Sequence, residues 1–521
     1  MKKYIVQLNI IFAVEVAVVI LASLGLIPRE AVLALTGLMI FYIVFSPVED
    51  SLYLIVASIP LFVALPITDN FDSMANWRIL IAVLFLCLFF KQGIPSALAK
   101  DEKGRWRLKE KFGHYLAEYL ILPFLGIAAL SIFAANYKIL GVKKLLFLVN
   151  IFLLFLIIRN LARKKEGVLN ILKAAATGAS VVVLGGAVQF IAILFMPLYN
   201  FWQFWARNVI DVFYGQGLAK LLSYSNTWFA YYANRPPTLR IFSLFPDSHS
   251  SAMFLILAIP VFLALAVFFE KENGKKIFFW VMNGLSLFFI IMSGSRGAWL
   301  SFVPVSAVIL YIFFKKIERS LAKKIIATAA IFGILFLASS FYPLAYYKFQ
   351  AWFRGGTEYD FNLFERAKSI SDLDEISNKS RLQIWKASVN SLVRHPLLGV
   401  GLGNYITVLN EDVSAVKKGV SAHNLYLDFA AEIGILGILV LLAIFVEILR
   451  TCWLVFTQAE DSYFKIFGLA FGLYFLWVLV YSLFDVVLLN DKVLLFFIVA
   501  AGTLYCIRAL IEDERKKRTI I

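Results

Sequence analysis

Along most of this chain apolar residues come in long unbroken runs. Neither the strict alternation of a half-buried strand nor the spaced stripe of a surface helix is common. A helix that crosses the hydrocarbon core of a bilayer needs about 20 mostly apolar residues. On that rule the pattern predicts spans at roughly 4–27, 31–46, 51–67, 77–91, 115–135, 139–158, 168–196, 250–269, 277–292, 299–314, 325–342, 432–450, 466–489 and 493–511. The second, ninth and tenth are short, so twelve to fourteen crossing helices are expected. The first run is longer than the apolar region of a signal peptide and reads as a span, and Glu15 inside it is expected to face protein rather than lipid.

Two polar stretches exceed ordinary connections, and on the predicted topology both fall on the same face. They divide the chain into N-terminal helices (1–196), a first outer segment (197–249), core helices (250–342), a large outer segment (343–431) and C-terminal helices with a basic tail (432–521). Connections this long are usually functional. The first is dense in aromatics (Phe201-Trp202, Phe204-Trp205, Trp228-Phe229, Tyr231-Tyr232), as in a segment lying at headgroup level. In the second, Arg381 to Arg394 reads as an amphipathic helix with Leu382, Trp385, Val389 and Leu392 on one face, capped by Ser380 and ended by Pro396 and Gly399.

Composition agrees with this picture. Hydrophobic residues make up 61% of the 521 and charged residues 16%, which excludes a string of soluble domains. The net charge of +16 at first suggests a nucleic-acid partner. With the N-terminus placed inside, however, the alternate loops on that side hold 28 of the 50 basic and 14 of the 34 acidic residues, which is +14 of the excess. The charge is a topology signal that places both termini in the cytoplasm, and no nucleic-acid partner is implied. Lys138, Lys143 and Lys144 fall on the outer side and run against the rule. Cys87, Cys452 and Cys506 are too scattered for a disulfide framework or a zinc cluster and read as small apolar residues.

The informative residues are the polar groups at the outer ends of spans. Ser293-Gly294-Ser295-Arg296-Gly297-Ala298 puts a guanidinium on a tight small-residue turn at the membrane boundary, where its planar fork suits phosphate. The plain alternative is a snorkelling arginine. Arg240, upstream of Pro246-Asp247-Ser248-His249, brings a second guanidinium to the same face, and two such groups can clamp a pyrophosphate. Arg381 precedes Trp385 by one helical turn. His395-Pro-Leu-Leu-Gly399-Val-Gly401-Leu-Gly403-Asn404 contains a Gly-x-Gly-x-Gly, but without a strand before it or a βαβ unit around it a Rossmann loop is excluded. Asp372-Leu-Asp374 resembles a metal-holding pair but has no α/β domain to carry it, so no metal site is assigned. His423-Asn424 precedes Glu432 at the mouth of a span, and a neutral histidine there can take a proton from a hydroxyl near pH 7. Asp247, His249, Asn424 and Glu432 serve equally well as cap, packing or helix-terminal residues.

Taken in order, Ser-Gly-Ser-Arg296-Gly-Ala-Trp, Arg381-x-x-x-Trp, His395-Pro-Leu-Leu-Gly-Val-Gly-x-Gly-Asn and His423-Asn-x-Tyr-Leu-x-x-x-x-Glu432-x-Gly-x-x-Gly resemble the O-antigen ligase and polymerase family of bacterial envelope glycan assembly. The likeness covers about 200 residues, Arg240 to Gly437. It implies an all-α, GT-C-like polytopic glycosyltransferase of the cytoplasmic (inner) membrane, working on the extracytoplasmic side without metal or cofactor and with inversion. The implied donor is an undecaprenyl-pyrophosphate-linked glycan. The acceptor is a hydroxyl of a glycan, a lipid A-core or another molecule. Arg296 falls on the family's pyrophosphate-binding arginine, Arg240 on a second and His423 on the histidine proposed as general base, with Arg381 as a further pyrophosphate group. A lipid-linked glycan flippase and a protein glycosyltransferase are the competing readings, although the chain lacks the internal repeat common in transporters.

Overall fold

The computed structural model describes residues 2–68, 71–92, 98–100, 106–108, 116–225, 227–232, 235–316, 376–412 and 421–520, with a few residues between 323 and 353. The predicted span 325–342 lies mostly, and the Asp372-Asp374 pair wholly, outside the described residues.

The apolar runs form helices because a backbone in lipid must satisfy its polar groups within the segment. In chain order the main ones are α1 (Lys2–Ser23), α2 (Ala31–Phe45), α3 (Val48–Ser58), α4 (Trp77–Gln92), α5 (Leu116–Ser131), α6 (Lys138–Leu161) and α7 (Lys165–Phe195). The first outer segment holds the short helices α8 (Leu198–Phe204), α9 (Ile210–Tyr214) and α10 (Gln216–Leu222), and after it come α11 (Ser248–Phe268), α12 (Asn273–Met292) and α13 (Arg296–Lys316). The large outer segment holds α14 (Ile376–Arg394) and α15 (Tyr405–Asp412), followed by α16 (Leu425–Gln458), α17 (Ser462–Tyr481) and α18 (Asp491–Ile520). Eight of the described helices are long and apolar enough to cross a membrane, and α2, α5 and α13 supply shorter apolar helices. The chain is an all-α membrane protein in which the described strands form only two-stranded hairpins. Helix α11 is the hub, buried on nearly every side and packed against α12, α17 and α7.

Contacts between helix ends sort the described structure into two faces. On one, Leu425 N–H donates to Ser482 O (2.8 Å), Ile241 N–H to Met292 O (3.0 Å) and Tyr137 N–H to Asn404 Oδ1 (2.7 Å). On the other, Lys165 pairs with Asp461 (2.5 Å), Arg508 with Glu447 (3.0 Å) and Arg518 with Glu460 (2.6 Å). The described parts of both long segments and the candidate site residues lie on the first.

The structure corrects three expectations. The run 51–67 is not one span: α3 ends at Ser58, a 3-10 turn follows over Ile59–Leu61 with Pro60 inside it, and β1 (Ala64–Leu65) then pairs with β2 (Met74–Ala75). Proline supplies no backbone donor and ends the helix, and the freed Pro60 carbonyl accepts from Lys492 Nζ at 2.8 Å. Gly178 of α7 lets α3 approach so closely that a Cβ there would sit 2.6 Å from Ala57 O. Glu15 is buried and accepts from Ser58, facing protein as expected. Second, α14 starts at Ile376, so Ser380 lies within the helix rather than capping it, and its buried face is Ile384, Ala387, Ser388 and Ser391, with Leu382 and Val389 exposed. Third, Phe201, Trp205, Trp228 and Phe229 are buried in protein instead of lying open to headgroups. Cys452 and Cys506 are buried and Cys87 half-buried, all three as free thiols.

Candidate active site

The first outer segment ends in a hairpin of β5 (Phe229–Tyr232) and β6 (Arg235–Leu239). Arg240 follows β6, its N–H donating to Trp228 O at 2.7 Å, and the next residue bonds the end of α12. The loop from Arg240 to Asp247 is then locked in place. Trp228 stacks on Phe242 at 4.2 Å and donates its indole N–H to Pro246 O (2.7 Å). The buried Gln189 amide accepts from the Phe242 and Ser243 N–H groups and donates to Ser243 O (3.1, 2.7 and 2.9 Å). That amide satisfies a loop in which Ser243 holds a left-handed φ of 51°.

The Ser-Gly-Ser-Arg turn lies directly beneath Arg240. Gly294 has φ +65°, and a Cβ there would fall 3.3 Å from Arg240 Cγ and 3.4 Å from its Nε, so the glycine both makes the turn and lets the arginine lie across it. Ser295 Oγ bonds Tyr481 OH at 2.7 Å, and Trp477 Nε1 donates to Ala298 O at 2.8 Å, which fixes the turn against α17. Arg296 opens α13 and is exposed to the face. A Cβ on Gly297 would meet Tyr481 Cε2 at 3.1 Å and Phe484 Cβ at 3.2 Å, so Arg296 borders the 481–485 segment.

Across from it, Asn424 caps α16, its Oδ1 accepting from the Tyr426 and Leu427 N–H groups at 3.0 and 3.1 Å. His423 sits just before the cap with φ +47°, a half-buried imidazole in a backbone conformation that a non-glycine residue keeps only when held. Two bonds hold it: Leu425 N–H to Ser482 O, and Ala422 N–H to Asp428 Oδ1 at 2.9 Å. Burial pushes the His423 pKa down, Arg381 and His249 push the same way, and Asp485 opposes them. Arg381 thus belongs to the same cluster, on the first half of α14, whose Trp385 donates to Ala422 O at 3.1 Å.

His249, in the first turn of α11, bonds Asp485 through Nδ1 at 2.6 Å and lies parallel to Tyr481 at 6.4 Å. Asp247 is the α11 cap, accepting from Ser250 N–H and Oγ at 2.7 Å each, and burial pushes its pKa up against the pull of His249 and Ser250. Arg240, Arg296, Arg381, His423, His249 and Asp247 therefore converge on one rim.

Glu432 and His395 stand apart from that rim. Glu432 is buried in α16 and bonded by Lys144 Nζ at 2.6 Å, with Asp428 3.8 Å from the same ammonium. His395 is exposed at the end of α14. The Gly-x-Gly-x-Gly that follows it is a backbone plug. α16 breaks at Gly434 (φ 69°), and the carbonyls released there accept from Val400 (Ala431 O, 2.8 Å) and Gly401 (Glu432 O, 3.0 Å), while Ile435 N–H donates to Pro396 O (2.8 Å). A Cβ on Gly399 would lie 2.2 Å from Ala431 O, one on Gly401 2.5 Å from Ala135 Cβ. Asn404 completes the plug by bonding Tyr137 N–H and carbonyl.

Asp485, Tyr481, Asp428 and Lys144 were not singled out as site residues from sequence. Lys144 alone left a signal, as a cation on the wrong side of the charge rule. An apolar cavity of about 140 Å³ opens beside the start of α16, lined by Phe124, Leu148, Leu425, Phe429 and Leu488 among others.

Fold and site together define a multi-pass membrane protein with a one-sided cluster of arginines and histidines over its helical core. Residues 281–442 match the family model described as O-antigen ligase, which supports an O-antigen ligase/polymerase family for this segment. The match takes in the Arg296 turn, α14, the glycine plug and the start of α16. Among curated proteins none matches the chain. Similarity to this family implies glycosyl transfer in a membrane.

Proposed function

We propose that the chain transfers a glycan from an undecaprenyl-pyrophosphate donor to a hydroxyl acceptor, with inversion and without a metal, on the extracytoplasmic side of a bacterial inner membrane. The observation that carries this reading is the packing of Arg240 across the Gly294 turn that presents Arg296, beside a neutral-leaning His423. Negative charge grows on the pyrophosphate as the C1–O bond breaks, so arginines placed in advance stabilise the transition state more than the ground state. Arg381 adds a third cation at the edge. His423 takes the acceptor proton, and its depressed pKa keeps it unprotonated near pH 7. The apolar cavity under Leu425 and Phe429 accommodates part of the polyprenyl tail. We assign the chain twelve to fourteen crossings in a GT-C-like arrangement, with both termini cytoplasmic. His395, Asn424 and Glu432 act through the plug, the cap and the Lys144 pair.

Membranes of the source cells supply both donor and acceptor for the test. Arg296→Ala is expected to lose affinity for polyprenyl pyrophosphate, while His423→Ala keeps that affinity and loses about 10²–10⁴-fold in transfer rate. Full transfer by both variants overturns the assignment. A lipid-linked glycan flippase is the second reading, favoured by the broken α3 and the buried Glu15 and Lys492 behind it, since interrupted helices and intramembrane charges are common in transporters. Cysteines near Pro60 that react alternately from the two sides during turnover would select it.

A further inference from the structure

At the rim one imidazole bonds a buried carboxylate, and a second, from a distant part of the chain, lies within its electrostatic reach. Asp485 lies in the link between α17 and α18, buried, with Oδ2 at 2.6 Å from His249 Nδ1 and Oδ1 accepting from Val486 N–H at 2.8 Å. His423 reaches the same link because Leu425, two residues on, is tied to Ser482, three residues before Asp485. Tyr481 lies parallel to the His249 ring and is itself anchored to Ser295, so the arrangement is braced against the arginine turn. Although burial opposes ionisation, His249, His423 and the Val486 N–H hold Asp485 below the usual carboxylate range, so it is an anion at working pH.

We propose that Asp485 is the counter-ion of the base: held by His249 and set beside His423, its carboxylate stabilises the imidazolium that forms when His423 takes the acceptor proton. This rests on the glycosyl-transfer reading above. In the step, the acceptor O–H bond breaks and its proton moves to the free imidazole nitrogen of His423. The oxygen lone pair forms the new bond to C1, and the C1–O bond to pyrophosphate breaks with its electron pair leaving on phosphate. Asp485 stays ionised throughout, bonded by His249 Nδ1. Asp485 and His249 are positioning residues that act through His423, as the carboxylate does in a Ser-His-Asp triad. The other groups facing the pair are Arg381 from α14, Asp247 at the head of α11 and Tyr481 from α17. Arg381 disfavours the imidazolium, so Asp485 offsets a cation that the pyrophosphate requires.

The test is the pH profile of kcat/KM in membranes that supply donor and acceptor. Because the base must be neutral, the rate rises through the His423 pKa and levels off above it. Asp485 raises that pKa, so Asp485→Asn is expected to move the rising limb to lower pH and to lower the plateau by about 10²-fold. His249→Gln, whose amide can still donate to Asp485, is expected to keep most of the activity that His249→Ala loses. Binding of polyprenyl pyrophosphate is expected to survive in all three and reports that each is folded. An unmoved limb in Asp485→Asn, whatever its rate, overturns the counter-ion role, and His249→Gln as inactive as His249→Ala overturns the holding role. If His423→Ala is inactive while Asp485→Asn behaves as wild type, only this proposal falls. If His423→Ala transfers normally, the base assignment itself has failed.

Discussion

At the scale of single residues the site is read most directly through its arginines. Arg240 and Arg296 lie 56 positions apart in sequence, yet Gly294 lets one side chain rest on the turn that carries the other. A fork of donors, rather than charge alone, is what a pyrophosphate needs. Arg240→Lys keeps the charge and loses the fork, so it is expected to weaken binding of polyprenyl pyrophosphate less than Arg240→Ala does, measured by titration in detergent. Equal loss in both would show that geometry dominates, and no loss in either would remove Arg240 from the donor site. The arginines were legible in the sequence because a guanidinium at the end of an apolar run is conspicuous. Asp485 was not, because a lone acid in a short link between spans looks like any loop charge, and its meaning comes only from His249, 236 positions away.

At the scale of elements, the broken helix α16 controls where His423 stands. Gly434 cannot take a side chain, since φ is +69° and a Cβ would lie 2.2 Å from Leu397 O. Gly434→Ala therefore carries about 1–2 kcal/mol of backbone strain before any clash is counted, and it is expected to lower the thermal midpoint in detergent and to reduce transfer without changing any group at the rim. Lys144 is the second support. It joins α6 to Glu432 and Asp428, and Asp428 accepts the N–H next to His423. Lys144→Met strands a buried carboxylate at a cost of about 3–5 kcal/mol. Adding Glu432→Gln is expected to recover much of that loss, and no recovery would mean that the pair is not the source of it. The glycines and the lysine were visible in the sequence, but their purpose was not. Gly-x-Gly-x-Gly suggests a ligand loop until its N–H groups are seen bonding the carbonyls of a helix break. Likewise, the apolar residues of α14 suggested the wrong face, because Ser388 on the buried side bonds Ile384 O and Tyr405 OH there and Leu382 and Val389 stay exposed.

At the scale of the whole molecule, the sequence carried the alternation of spans well and their depth poorly. Hydropathy cannot see that α3 stops partway and turns into a hairpin, since Pro60 and the residues after it are as apolar as the span they interrupt. The sorting of charge, by contrast, survives in three dimensions: Lys165, Arg450, Arg508 and Arg518 gather with their acidic partners on one face, while Arg240, Arg296 and Arg381 stand on the other. Positive charge in short loops tends to remain cytoplasmic, so on the proposed orientation the first group marks the inner side and the arginine rim faces outward. Labelling can decide this, because Cys452 and Cys506 are buried and Cys87 is half-buried, which keeps the background reaction low. A cysteine at Tyr224, which is 79% exposed beside the rim, is expected to react with an impermeant maleimide in intact cells. One at Lys275, exposed at the opposite face, is expected to react only after the membrane is opened. The reverse pattern would place the rim in the cytoplasm and would remove the reason for reading its arginines as ligands of a donor presented on the outer surface.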